Sequence, residues 1–439
     1  MVKSASEERR APRAVLLVAN PASPYSRGLR VARSLAAAGY DVEIAATAGS
    51  DIPPSELDGG ISVNRYAPSG AWARFAHGRP RTIPLARYPR PIRLVGRLGD
   101  GVLKLVFWPA RVRGWWRTLE RELPPADLYH AFGILTIPVA LALARSARRQ
   151  GRAGRVVYDV IDVILESNNV DPIPRPFLAF YRWREHRWAR RADAVVTVND
   201  AIAEHLERTW PLGARPTVLL NCQPRWDVPV PRPDRIREAT GIPADRRVVL
   251  FLGRLGPERG LEEAAAAVLE LDDAALVMLG FGPWAERLTA RDREPSLAGR
   301  HFTLPPVHPD DVPAWTASAD VSMIAVPANS LNQRLSTPNK FWESLAAGTP
   351  VVVGRDLEVM CRIVETDRLG AVADPTDPAD LAAALRSILD GPAADADAMR
   401  QRCLDVTRDR YNWETAVQPY LAVVDALLEA GARGQDGPV

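Results

Sequence analysis

Cysteine is scarce in this 439-residue chain: Cys222, Cys361 and Cys403 stand far apart and form no CxxC pair. This composition offers no disulfide framework and no zinc site, and it suits a reducing cytosol. Lysine occurs only at Lys3, Lys104 and Lys340, so nearly all positive charge is arginine, a bias expected of a GC-rich genome. Long apolar runs are missing. The longest, Gly133 to Ala144, is about a dozen residues with Pro138 inside it, whereas a bilayer span needs roughly 20. The start, Met1 to Arg13, is charged, and Val15 to Val18 is too short for a signal h-region. The expectation is a cytoplasmic protein, soluble or held on a membrane surface. Also missing are a GxxxxGK[ST] phosphate loop and, between Asn20 and Gly28, any GxGxxG dinucleotide fingerprint. No nucleic-acid module is recognisable, which argues against a nucleic-acid partner.

What is present is an ordinary globular balance, 47% hydrophobic and 25% charged, in a chain too long for one core. A buried-type strand, Ala14 to Ala19, leads through a loop into an amphipathic helix from about Leu29 to Ala38 and a second strand, Asp41 to Ala45. This is a βαβ unit of a parallel sheet. Strands follow at Asp127 to His130, Arg155 to Val160, Ala194 to Val198 and Thr217 to Leu220, separated by helices. Pro224, Pro229, Pro231 and Pro233 then mark a linker. The pattern restarts with strands at Arg247 to Leu252, Ala275 to Leu279, Phe302 to Leu304, Val321 to Val326 and Val351 to Val353. Helices are expected at Leu261 to Leu271 and Pro378 to Leu389, the latter capped by Asp377. A long amphipathic helix from Trp413 to about Ala430 ends the pattern. The architecture is α/β, two doubly wound halves, with domains at 1–226 and 227–412 and a terminal helix at 413–439.

Ligands of open parallel sheets sit beyond the carboxyl ends of the strands. Three such places in the second half point to one chemistry. Gly253-Arg254-Leu255-Gly256-Pro257-Glu258-Arg259-Gly260 sets two guanidinium groups around a glycine-rich turn, suited to phosphate oxygens. Gly280-Phe281-Gly282-Pro283 is a second open turn. Ser336 and Thr337 are candidate N-caps, with Pro338 as a first helical residue and Gly348 as the stop. That helix would present free N–H groups beside Asn339 and Lys340 to an anion, and the Glu343 carboxylate to sugar hydroxyls. Taken singly, the loop arginines also read as solvated and the helix as an ordinary capped surface helix. Together the three fit a sugar nucleotide.

These residues resemble family 4 of the retaining GT-B glycosyltransferases, in order and spacing and over nearly the whole chain. The resemblance rests on Gly253-Arg254-Leu255 with Glu258-Arg259-Gly260, on Gly280-x-Gly282-Pro283, and on the run from Pro338 to Val352. In the first half it rests on Asp127-Leu128-Tyr129-His130-Ala131, Tyr158-Asp159-Val160 and Ala192 to Val198. It implies two Rossmann-like domains facing a central cleft, with the terminal helix crossing back to the first. It implies transfer of a sugar from a UDP- or GDP-sugar to a hydroxyl acceptor with retention, without a resident cofactor or metal. The acceptor would be lipid-linked or carbohydrate, as in cell-surface polysaccharide or glycolipid synthesis. Arg254 and Arg259 would hold the diphosphate, Ser336 to Asn339 would cradle the distal phosphate, and Glu343 would bind the ribose. His130 would act near the transferred sugar, with Gly28 on the acceptor side, although a satisfied strand-end histidine is the other reading of His130. Two departures stand out. Leu335 occupies the position eight before Glu343 where the family often has a second Glu, and Phe132 replaces a second His. A GT-B sugar-nucleotide epimerase and a non-catalytic sugar-nucleotide-binding subunit are the alternatives.

Between Arg65 and Arg117 cations crowd, with Asp100 as the only acid. Arg97, Lys104, Trp108, Arg111, Trp115 and Trp116 interleave charge with indole, the makeup of a segment lying on anionic lipid. The expectation is peripheral contact with the inner face of the plasma membrane. The other reading is an Arg-rich surface with its tryptophans packed on the core.

Overall fold

A computed structural model describes residues 10–23, 25–49, 52–69, 109–167, 173–297 and 299–435. By its internal contacts the chain forms two compact units. One runs to Leu219 and resumes at Val417; the other is Leu220–Ala416.

The first unit is built on an eight-stranded sheet. In chain order its strands are β1 (Arg13–Val18), β2 (Asp41–Thr47), β3 (Ser55–Asp58), β4 (Ile61–Tyr66), β5 (Leu128–Phe132), β6 (Arg155–Val160), β7 (Ala194–Thr197) and β8 (Thr217–Val218). Their spatial order is β3-β4-β2-β1-β5-β6-β7-β8. All pairings are parallel except β3 with β4. Helices on both faces bury β1, β5 and β6 completely, so those strands read as continuous apolar runs. The β3–β4 hairpin, which sequence patterning does not reveal, turns at Gly59 and Gly60, both at positive φ. Helix Ser26–Ala37 begins three residues before its expected start, which places Gly28 inside its first turn.

The second unit carries six parallel strands: β9 (Arg247–Arg254), β10 (Ala274–Phe281), β11 (His301–Leu304), β12 (Val321–Ile324), β13 (Val351–Gly354) and β14 (Gly370–Ala373). Their order is β11-β10-β9-β12-β13-β14. The chain winds outward from β9 on one side and from β12 on the other, so the switch point lies between these neighbours. Val248 to Phe251 and Ala274 to Leu279 are essentially sealed from solvent.

Two helix boundaries differ from expectation for backbone reasons. The expected helix from Trp413 is two, Trp413–Ala416 and Gln418–Gln435. Pro419 has no N–H to continue the ladder, so the chain restarts at Gln418. The helix expected to begin at Pro338 begins at Asn339 and runs to Ala346, because Pro338 is extended at ψ 157°. Among the described residues no helix is long and apolar enough to cross a membrane.

Candidate functional site

The carboxyl ends of β9 and β10 are locked back to back. Leu255 N–H donates to the Phe281 carbonyl at 2.7 Å. A Cβ on Gly280 would stand 1.7 Å from the Gly253 carbonyl oxygen, and one on Gly282 would stand 2.1 Å from that of Leu255. Both positions therefore require glycine, and the G-x-G spacing follows from the close approach of two loops. Gly253, at φ 119°, is the hinge from which β9 turns outward.

This junction gathers positive charge. Arg254 is exposed and Arg259 half-buried. Burial, followed by the neighbouring Arg254 guanidinium, lowers the proton affinity of Arg259. Lys340 lies in the first turn of helix Asn339–Ala346 with its Nζ 4.5 Å over the Phe251 ring. Burial and the approach of Arg259 bring its ammonium down to about 7, and the Glu343 carboxylate only partly opposes this. Among the described residues, Arg254, Arg259 and Lys340 form no ion pair. Arg254 crowds Arg259 and Arg259 crowds Lys340, and the Glu258 and Glu343 carboxylates offset this only in part, so the junction favours an anion.

Pro338, at the N-cap position of the helix beside them, supplies no side-chain cap. Ser336, expected as an N-cap, instead donates its hydroxyl back to the Asn332 carbonyl at the end of helix Leu331–Leu335. Thr337 is buried. The N-terminal part of this helix is braced by two residues just before the expected linker, to which the sequence reading gave no role. Asn221 donates its amide to Asn339 Oδ1 at 2.6 Å, and Gln223 donates to Glu343 Oε1 at 3.4 Å. The signal for them was two amides placed immediately before Pro224. The structure therefore brings together Gly253, Arg254, Arg259, Gly280, Gly282, Asn339, Lys340 and Glu343 within one unit. Leu335 is buried at the end of its short helix and supplies no second carboxylate.

In the first unit the expectations fare differently. His130 is fully buried, and both ring nitrogens are occupied. Nε2 donates to Asp159 Oδ2 at 3.1 Å, and Nδ1 accepts from the Tyr420 hydroxyl at 2.9 Å. Arg27 completes the group with Nε and Nη2 on the two Asp159 oxygens, at 2.8 and 3.1 Å, and Nη1 on the Leu219 carbonyl. Burial alone would raise the Asp159 carboxyl; the Arg27 guanidinium and the His130 hydrogen bond outweigh it and hold it below its usual range. Burial keeps His130 neutral despite that carboxylate. His130 is a buried histidine that ties β5 to β6 and to the last helix. Gly28 is buried with the Tyr25 ring 2.4 Å from where its Cβ would be, so it offers no open backbone to an acceptor.

The expected membrane segment is also corrected in part. Arg97, Lys104 and Trp108 lie outside the described residues. Arg111 is exposed at the start of helix 109–122. Trp115 is 1% exposed and belongs to the core, and Trp116 is half-buried in the wall of a groove. Trp115 thus faces the core, whereas Trp116 faces the groove.

Comparison with known proteins agrees with this geometry. The model of the "glycosyl transferase 4-like domain" matches residues 26–222, and that of "glycosyl transferases group 1" matches 233–405. A D-inositol 3-phosphate glycosyltransferase of Acidothermus cellulolyticus is 31% identical over 54% of this chain and 54% of its own. A GDP-mannose-dependent phosphatidylinositol monomannoside mannosyltransferase of Mycolicibacterium smegmatis is 30% identical over 42% of this chain and 50% of its own. The chain thus aligns with about half the length of these relatives. Among solved structures, sucrose-phosphate synthase of Thermosynechococcus elongatus shares the fold with TM-score 0.66 and 19% identity, covering 95% of this chain and 100% of that one. Anabaena HepE in complex with UDP-glucose does so with TM-score 0.63 and 16% identity, covering 95% and 99%. Two family models that together take in most of the chain, and two parallel-sheet units of GT-B type, place this chain in the GT-B glycosyltransferases of the family 4 type.

Proposed function

We propose that this chain transfers a glycosyl group from a nucleoside-diphosphate sugar to a hydroxyl acceptor, with retention of configuration. The observation that carries the proposal is the group of three basic side chains, Arg254, Arg259 and Lys340, at the N-terminus of helix Asn339–Ala346 beyond the switch point of the second sheet. A diphosphate is the ligand that satisfies all of them. Arg254 and Arg259 hold its oxygens, the N–H groups at the start of helix Asn339–Ala346 take the distal phosphate, and Glu343 accepts from ribose hydroxyls. As the glycosidic bond lengthens, charge grows on the leaving diphosphate. Fixed cations stabilise that charge without a metal ion. The acceptor hydroxyl attacks on the face the diphosphate leaves, and a diphosphate oxygen takes its proton.

Relatives named for GDP-mannose and a neighbour holding UDP-glucose support a UDP- or GDP-sugar as donor. Relatives named for phosphatidylinositol mannosides support a lipid-borne acceptor. The test is turnover of UDP- and GDP-sugars by wild type and by Arg259→Ala. Loss of one transition-state charge donor lowers kcat on the order of 10²-fold or more. Near-normal turnover in the variant overturns the assignment. Donor isomerised without any acceptor would instead identify an epimerase.

A further inference from the structure

The stretch from Leu220 to Arg225 has no regular secondary structure, yet its register against helix Asn339–Ala346 is fixed. Asn221 meets Asn339 and Gln223 meets Glu343, two residues along one segment against four along the other. Alternate residues of an extended chain stand about 6.6 Å apart, and residues four apart on a helix rise about 6 Å. Both amide contacts therefore form together. Between them, Cys222 is fully buried in an apolar cluster with Phe341, Trp342 and Leu345 of the same helix. A slip of one residue would drive an amide into that cluster and leave it unpaired. Gln223 is also held by its backbone. Its carbonyl accepts from Trp413 N–H at 2.9 Å, and Arg225 N–H donates to the Glu414 carboxylate at 3.2 Å, both on helix Trp413–Ala416.

We propose that Gln223 is a positioning residue for the donor, one that holds the Glu343 carboxylate in the orientation that receives the ribose hydroxyls. The inference rests on the reading of Glu343 as the ribose acceptor. A carboxylate offers about four acceptor sites, so one amide contact orients it without filling it. Left to rotate, a glutamate side chain loses its rotamer freedom only when the ligand binds, and affinity falls by that amount. The amide suits the task chemically. It donates a hydrogen bond and carries no charge, so Glu343 stays an anion, whereas a lysine in its place would neutralise it.

The experiment is titration of the full chain with UDP and with GDP, each beside its 2′,3′-dideoxy analogue. Wild type binds the parent nucleotide it accepts more tightly than the analogue. Gln223→Leu weakens the parent about tenfold, the order of one hydrogen bond to a charged group, and leaves the affinity of the analogue unchanged. A merely structural role would weaken both alike. Gln223→Glu sets a second carboxylate beside Glu343, and parent binding is weakened near neutral pH. As the pH falls from about 7 to about 5 the pair takes up one proton, the new side chain becomes a neutral donor as the amide was, and the lost affinity returns. Thermal midpoints report folding separately, and the pH dependence of Gln223→Glu remains readable if Gln223→Leu fails to fold. If wild type does not distinguish parent from analogue, Glu343 does not meet the ribose, and the reading and the inference fall together. If wild type distinguishes them while Gln223→Leu weakens both alike or neither, or if Gln223→Glu recovers nothing on acidification, the inference is overturned and the reading of Glu343 stands.

Discussion

Lys340 determines how the donor site responds to pH. Its ammonium has fallen to about 7 from the usual 10.5, through burial first and the nearness of Arg259 second. Between these values the unfolded chain binds more protons than the folded one, so this residue makes stability rise with pH from about 7 to 10.5; below 7 its cost is present in full. A diphosphate supplies the missing negative charge and raises the ammonium again. Binding of a nucleoside diphosphate near pH 8 therefore draws a proton from solution, and affinity falls as pH climbs past 7. Titration calorimetry in buffers of different ionisation enthalpy measures that uptake, and its absence would mean Lys340 does not meet the ligand. Lys340→Met removes the buried charge. It raises the thermal midpoint of the ligand-free protein at neutral pH while weakening nucleotide binding, a pairing expected of a group kept for function. His130 shows the limit of reading at this scale. Its partners Asp159 and Tyr420 are 29 and 290 residues away, so its burial could not be foreseen from neighbouring residues.

Elements were legible where one physical rule dominated. Strands buried on both faces, such as Val248 to Phe251 and Ala274 to Leu279, are continuous apolar runs, and Asp377 caps its helix as expected by accepting from Ala379 N–H at 2.9 Å. Elements that are short, polar or at an edge were not legible. Strand β3 alternates exposed and half-buried residues, and helix Ala393–Asp409 is mostly polar with few buried side chains. Facing was lost as well: the composition of helix 109–122 fits a lipid surface, yet Trp115 turns inward. The glycines and cations of the candidate site were legible because they recur at strand ends, whereas Asn221 and Gln223 act through a brace whose geometry appears only in the folded chain. The back-to-back loops after β9 and β10 yield a prediction at this scale. Gly280→Ala drives a methyl group into the Gly253 carbonyl, where backbone rather than a flexible side chain must move. The expected cost is about 3 kcal/mol in denaturant unfolding, together with loss of nucleotide binding as Arg254 is displaced. A variant of wild-type stability would show that the two loops can separate.

In the whole molecule, the chain passes between its two units at Leu219/Leu220 and again at Ala416/Val417. Every residue assigned to the donor lies between those points, from Asn221 to Glu343, whereas the His130–Asp159–Arg27–Tyr420 group belongs to the other unit. On the proposed reading, donor recognition is built into one unit. Hydrogen exchange tests that division directly. A nucleoside diphosphate at a hundred times its Kd stabilises the state it binds by about 2.7 kcal/mol. Local opening of the bound loops slows accordingly, about a hundredfold at Gly253 to Gly260, Gly280 to Pro283 and Thr337 to Glu343. Strands β1 and β5 are held by contacts within the first unit that the nucleotide does not touch, and their exchange stays as in the free protein. Protection confined to the first unit, with the three loops unchanged, would place the nucleotide elsewhere and remove the reason for gathering Arg254, Arg259 and Lys340.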